Sequence, residues 1–98
     1  MLWYCRFKWH SNTTAQQARQ RVLQQHDLGA NIPDKIRGWY NLVGGGAGFL
    51  LVESDDPREV TAFLTPYMDL MDVDVHAVYE LPYEPTIKAL RETERASA

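Results

Sequence analysis

Apolar and polar residues alternate along residues 2–9. Trp3, Cys5, Phe7 and Trp9 fall on one side, and Tyr4, Arg6 and Lys8 on the other. A period of two predicts a strand with one wholly apolar face. The period then lengthens. Ala15, Ala18, Val22 and Leu23 make a narrow stripe in a segment otherwise rich in Gln and Arg. That stripe predicts a surface helix, capped by Asn12 or Thr13 and running to about His26. Gly29, Asn31 and Pro33 mark the loop that follows.

Residues 39–57 read W-Y-N-L-V-G-G-G-A-G-F-L-L-V-E-S-D-D-P. Two apolar runs, residues 36–43 and 49–52, flank Gly44, Gly45, Gly46 and Gly48, which predicts a β-hairpin. The second run does not alternate, so its strand belongs in the middle of a sheet with both faces covered. Asp55 or Asp56 followed by Pro57 starts a second helix, whose apolar residues are Val60, Phe63, Leu64, Tyr67 and Met71. Pro66 predicts a kink there, or a restart capped by Thr65. Residues 73–81 alternate again and end at Pro82 and Pro85. A short amphipathic helix over 86–95, with Ile87 and Leu90 on its apolar side, precedes a frayed tail at 96–98.

The order β-α-β-β-α-β with a C-terminal helix predicts an α+β, ferredoxin-like fold with a four-stranded antiparallel sheet. The first and third strands are expected in the centre, parallel to each other, and both main helices on one face. Residues 1–82 form the α/β domain and 83–98 a C-terminal helical extension. The second sheet face, with Tyr4, Arg6, Trp39, Phe49 and Leu51 as candidates, is left bare. A second copy is the expected cover, giving a homodimeric α/β barrel.

The run G-W-Y followed by G-G-G-A-G-F-L-L-V-E-S-D-D-P, a helix and a valine-rich strand resembles a bacterial family of domains of unknown function. That family is similar in architecture to the dimeric α/β-barrel superfamily, which includes small monooxygenases, isomerases and ligand-binding proteins. The resemblance covers roughly residues 1–81 and leaves the C-terminal helix outside. It implies fold and dimerisation, and no particular reaction.

Ninety-eight residues make one domain. A net charge of -3 argues against nucleic acid as a partner. Lone Cys5 excludes an internal disulfide and a cysteine-rich metal site. No run of residues has the length of a membrane span, and the chain opens on a strand rather than a signal peptide. The expectation is a cytoplasmic protein.

Candidate chemistry is sparse. The glycine cluster lacks the G-K-[ST] ending of a phosphate loop and joins strand to strand, so it reads as a hairpin. Asp72, Asp74 and His76 alternate along one strand face, but neighbours two apart are about 6.6 Å apart, too far to converge on one ion. Metals and cofactors are therefore not expected. Cys5 lies on the helix-covered face and reads as a core thiol. The sharper set is Tyr4, Arg6, Trp39, Glu53 and His76. Arg6 is expected between Glu53 and His76, where it can hold the carboxylate of a small acidic or aromatic ligand. The same residues can instead form a self-satisfying ion pair or a dimer contact. Two functions follow: a ligand-binding dimeric barrel, or a non-catalytic regulatory module that docks on a protein partner.

Overall fold

The computed structural model describes residues 1–97; Ala98, the end of the expected tail, lies outside the described residues. Four strands, β1 (Leu2–Trp9), β2 (Ile36–Asn41), β3 (Ala47–Glu53) and β4 (Met71–Val78), form one sheet in the order β2-β3-β1-β4. Three helices accompany them: α1 (Ala15–Asp27), α2 (Pro57–Leu64) and α3 (Tyr83–Ser97). This is the expected ferredoxin-like arrangement. One detail differs: β1 is antiparallel to β3 as well as to β4. The crossover through α1 makes β1 and β2 run the same way, and the hairpin then reverses β3.

The pleat of β1 divides the molecule. Cys5 and Phe7 are buried with Leu50 and Val52 of β3 and with Val60, Phe63, Leu64 and Tyr67, while Val22 of α1 packs on that cluster. Both helices thus lie on the face predicted from the alternation. Among the described residues no element lies over the opposite face, where Arg6 and Tyr40 are exposed.

Side-chain competition sets the helix ends. Thr13 Oγ1 donates to the Leu70 carbonyl at 2.7 Å, so Thr14, rather than Asn12 or Thr13, caps α1. Thr14 and Gln17 exchange side-chain and backbone hydrogen bonds in a capping box. Asp56 caps α2 with Pro57 in the first turn. At Pro66 the helix gives way to a 3-10 turn, Thr65–Tyr67. β4 starts and stops two or three residues earlier than its alternation suggests. It pairs only along β1, from Met71 opposite Trp9 to Val78 opposite Leu2, and residues 79–81 have no strand beside them. α3 is longer than expected and includes Pro85 in its first turn, where a missing N–H costs nothing. It contains no buried residue, and it helps stretch the chain to 59 × 29 × 17 Å. Among the described residues no helix is long and apolar enough to cross a membrane.

The hairpin turn places Gly44, Gly45 and Gly46 at φ of 97°, 81° and 83°, where a side chain is strained. Gly48 is constrained differently. A Cβ there would lie 2.1 Å from the Tyr40 carbonyl oxygen and 2.8 Å from Phe7 Cζ. Gly48→Ala should therefore push β2 off β3 and lower stability by roughly 1–3 kcal/mol, as overpacking does. Urea unfolding measures this; an unchanged midpoint would show that the two strands separate at no cost.

Candidate functional site

The bare sheet face comes first, because the expected site lies there. Across it run Tyr40, Phe49 and Tyr4, with ring centroids 4.9 Å apart for Tyr40 and Phe49 and 5.2 Å for Phe49 and Tyr4. Gly38 lies under Tyr40: a Cβ at that position would come 2.5 Å from Tyr40 Cε2. Beside the aromatic band, Arg6 Nη2 reaches Asp74 Oδ2 at 3.4 Å, and His76 Nε2 lies 3.0 Å from Asp74 Oδ1. The bond from His76, reinforced by the charge of Arg6, holds the Asp74 carboxyl below its usual range. Tyr4 stands directly across from His76.

Three of the five expected residues, Tyr4, Arg6 and His76, are thus together. The other two are elsewhere. Glu53 pairs with Leu2 on β1, four residues from Arg6, or about 13 Å along the strand. Its partner is the Met1 amino group at 2.8 Å, so the expected Arg6–Glu53 pair does not form. Asp74 takes its place, because antiparallel pairing sets it opposite Arg6. Trp39 is on the other face. A β-bulge between Ile36 and Gly38 shifts the parity of β2, so Trp39 pairs with core-facing Leu50 and Tyr40 with outward-facing Phe49.

Trp39 instead helps line a hollow of about 530 Å³ on the helix side. Phe7, Trp9 and Leu50 form its floor, Val22, Leu23 and His26 of α1 one wall, and Phe63, Leu64 and Tyr67 the other. Its mouth is open: Trp39 is 59% exposed and Leu23 54%. The cause lies in α1, whose one buried residue is the polar Gln25 and whose narrow apolar stripe is too thin to seal against the sheet. Polar clamps hold the walls instead. Arg21 makes a two-pronged bond to Asp69, at 2.6 and 3.0 Å, and also donates to the Pro66 carbonyl. That bond holds the Asp69 carboxyl below its usual range. Lys35 Nζ grips both Glu59 oxygens at 2.7 and 2.9 Å, and the Lys35 bond, with a second from Ser54, lowers Glu59 likewise.

Within the hollow the fixed polar feature is Asn31 with Tyr67. The Tyr67 hydroxyl donates to Asn31 Oδ1 at 2.6 Å, and Asn31 Nδ2 donates to the Val22 carbonyl at 3.1 Å. Burial raises the Tyr67 pKa, against the opposing bond to Asn31. Next to Asn31, Ile32 sits at φ 41°, ψ 55°. A β-branched residue in the left-handed region costs about 1–2 kcal/mol, and such strain gathers where surrounding contacts serve a site. Cys5 lies in the floor layer, fully buried, its thiol pushed up to about 11 by that burial. Burial thus disfavours the thiolate, as in a core thiol. Asp72 pairs with His10 at 3.0 Å, and among the described residues no group of three or more His, Cys, Asp or Glu is placed to hold a metal ion.

Sequence reasoning missed the hollow, though Trp9, Asn31 and Tyr67 were each visible as core or loop residues. The signal that could have found it was the weak apolar stripe of α1, too thin to fill the space beneath it.

No curated protein matches the sequence. Among solved structures, muconolactone isomerase superposes with a TM-score of 0.59 at 17% identity, over 86% of this chain and 94% of that one. A Mycobacterium tuberculosis protein, Rv0793, gives 0.44 at 17% identity, over 82% of this chain and 95% of that one. The first likeness is one of fold, the four-stranded ferredoxin-like architecture. The family match runs over residues 1–94 and so takes in most of α3, which the sequence pattern had left outside it. The chain belongs to the family described as Domain of unknown function (DUF3303).

Proposed function

We propose that the protein is a homodimer whose chains each bind a small, largely apolar or aromatic molecule in the helix-side hollow. The observation that carries this reading is the hollow itself. Its volume of about 530 Å³ falls within the roughly 300–1,000 Å³ typical of ligand sites, and it combines apolar walls with a few fixed polar groups. Asn31 and Tyr67 supply a hydrogen-bonding pair that is already oriented, so little ordering cost falls on binding. Trp9 and Trp39 offer ring faces, and His26 stands at the rim.

The sheet face is read as the dimer contact. Tyr4, Tyr40, Phe49 and Leu51 form an aromatic and aliphatic band that a second sheet can cover face to face. Arg6, Asp74 and His76 then become a polar margin of that contact rather than a ligand grip. A single buried thiol suits a reducing compartment, and we place the protein in the cytoplasm on that ground. The muconolactone isomerase fold is compatible with such a pocket, but no reaction is carried over from it.

Static light scattering at micromolar concentration should return twice the 11.3 kDa of the chain. Phe49→Glu, on the sheet face, should weaken the dimer and shift the mass towards that of the single chain on dilution; a wild-type monomer would remove the dimer reading.

A thermal-shift panel of one- and two-ring aromatic carboxylic acids and their neutral amides should contain compounds that raise Tm. Leu23→Trp, which crowds the mouth of the hollow, should weaken the best of them at least tenfold. Arg6→Met should leave affinity within about twofold, since Arg6 lies on the other face of the sheet, paired with Asp74, and does not line the hollow. The opposite pattern would return the ligand to the sheet face, and a panel without any binder would remove the ligand reading.

A further inference from the structure

α3 has an apolar stripe that its own chain leaves largely uncovered: Ile87 is half-buried and Tyr83 and Leu90 are exposed. Tyr83, Ile87 and Leu90 recur at the i, i+4, i+7 spacing of a helix face that packs on a surface. Yet Leu90 is 60% exposed and no residue of the helix is buried. A lone helix of about 15 residues is marginal in water, so this one needs a surface to lie on. The connection does not favour its own domain. Pro82 biases Leu81 towards extended backbone, and Tyr79 and Leu81 leave the sheet as an exposed apolar arm. The Cα radius of gyration is 17.6 Å, against about 13 Å for a compact chain of this length.

The surface area points to what the arm meets. The chain exposes 7259 Å², whereas a compact monomer of this mass exposes about 5,700 Å². The excess of roughly 1,500 Å² matches one partner's share of a permanent homodimer interface, which buries about 2,000–5,000 Å² in total. Charge does not oppose self-association through α3. The helix carries Glu84, Glu92 and Glu94 against Lys88, Arg91 and Arg95, and is neutral beside a chain of net charge -3. The one concave apolar surface described above, with exposed Leu23 and Trp39 at its lip, suits a helix ridge better than the flat, charge-bordered sheet face does.

We infer that α3 of one copy lies across the mouth of the hollow of a second copy, with Ile87 and Leu90 seated against Leu23 and Trp39. The exchange is reciprocal, as two-fold symmetry requires. Each site is then closed by a helix from the other chain. Its functional meaning rests on reading the hollow as a ligand site; its geometry does not.

Intermolecular paramagnetic broadening tests this without any ligand. Full-length ¹⁵N-labelled wild type is refolded from urea with an unlabelled Glu92→Cys chain carrying a nitroxide at residue 92. Cys5 is buried and should escape the label. The expected result is loss of the Trp39 indole and Leu23 amide signals of the labelled chain, while the Trp3 indole, bonded to the Ser54 carbonyl, stays sharp. Adding Leu90→Glu to the nitroxide chain should restore both lost signals. Three results overturn the inference. Broadening only when label and ¹⁵N share one chain means the arm folds onto its own domain. Broadening centred on Tyr4 and His76 means it covers the sheet face, and no broadening means the arm is free. A failed ligand panel leaves a positive mixing result standing, and the converse holds, so the two readings fail separately.

Discussion

Everything in this protein is placed by the two-sidedness of β1. Successive residues of a strand point to opposite faces, and in β1 that rule separates Cys5 and Phe7 from Tyr4 and Arg6 without exception. The buried set recruits Leu50 and Val52 across the sheet and α2 above it. The outward set, joined to Phe49 and Leu51, produces a face that no described element of the chain covers. One alternation therefore dictates a one-sided core, an uncovered sheet and the need for something to lie against it.

The hollow follows from a shortfall on the covered side. α2 brings Val60, Phe63 and Leu64 down onto the sheet, all of them buried. α1 brings a thin stripe in a Gln-rich segment, and it is held in place by Arg21 on Asp69 and by Asn31 on Val22 and Tyr67. Exposed ion pairs contribute little stability, about 0–1 kcal/mol each, but they fix distance and direction well. Polar tethers at the wall and apolar residues on the floor leave an open concave space where a packed helix would have filled it. The left-handed Ile32 lies in the same loop, where Asn31 and the neighbouring core contacts hold it.

Much of the fold was legible in the chain because it rests on period and punctuation. The strands, the glycine hairpin, the Asp56–Pro57 helix start and the strand order all come from such local signals. The site was less legible, for a physical reason in each case. Trp39 and Tyr40 exchange faces through one extra residue at the bulge, and nothing in I-R-G-W-Y announces it. The expected partner of Arg6 was misplaced because β3 runs antiparallel to β1, which moves Glu53 to the far end and brings Asp74 opposite instead. The clamps join residues 24 to 48 apart in sequence, beyond the reach of any periodicity.

Three tryptophans allow a direct measurement of where a ligand sits. Trp9 and Trp39 line the hollow, whereas Trp3 is outside it with its indole N–H bonded to the Ser54 carbonyl at 3.0 Å. Each indole gives its own ¹H–¹⁵N signal during titration with an aromatic carboxylate that raises Tm. A ligand in the hollow moves the Trp9 and Trp39 signals together and leaves Trp3 in place. Unmoved Trp9 and Trp39 signals, with shifts instead at the Arg6 and His76 amides, would contradict the account.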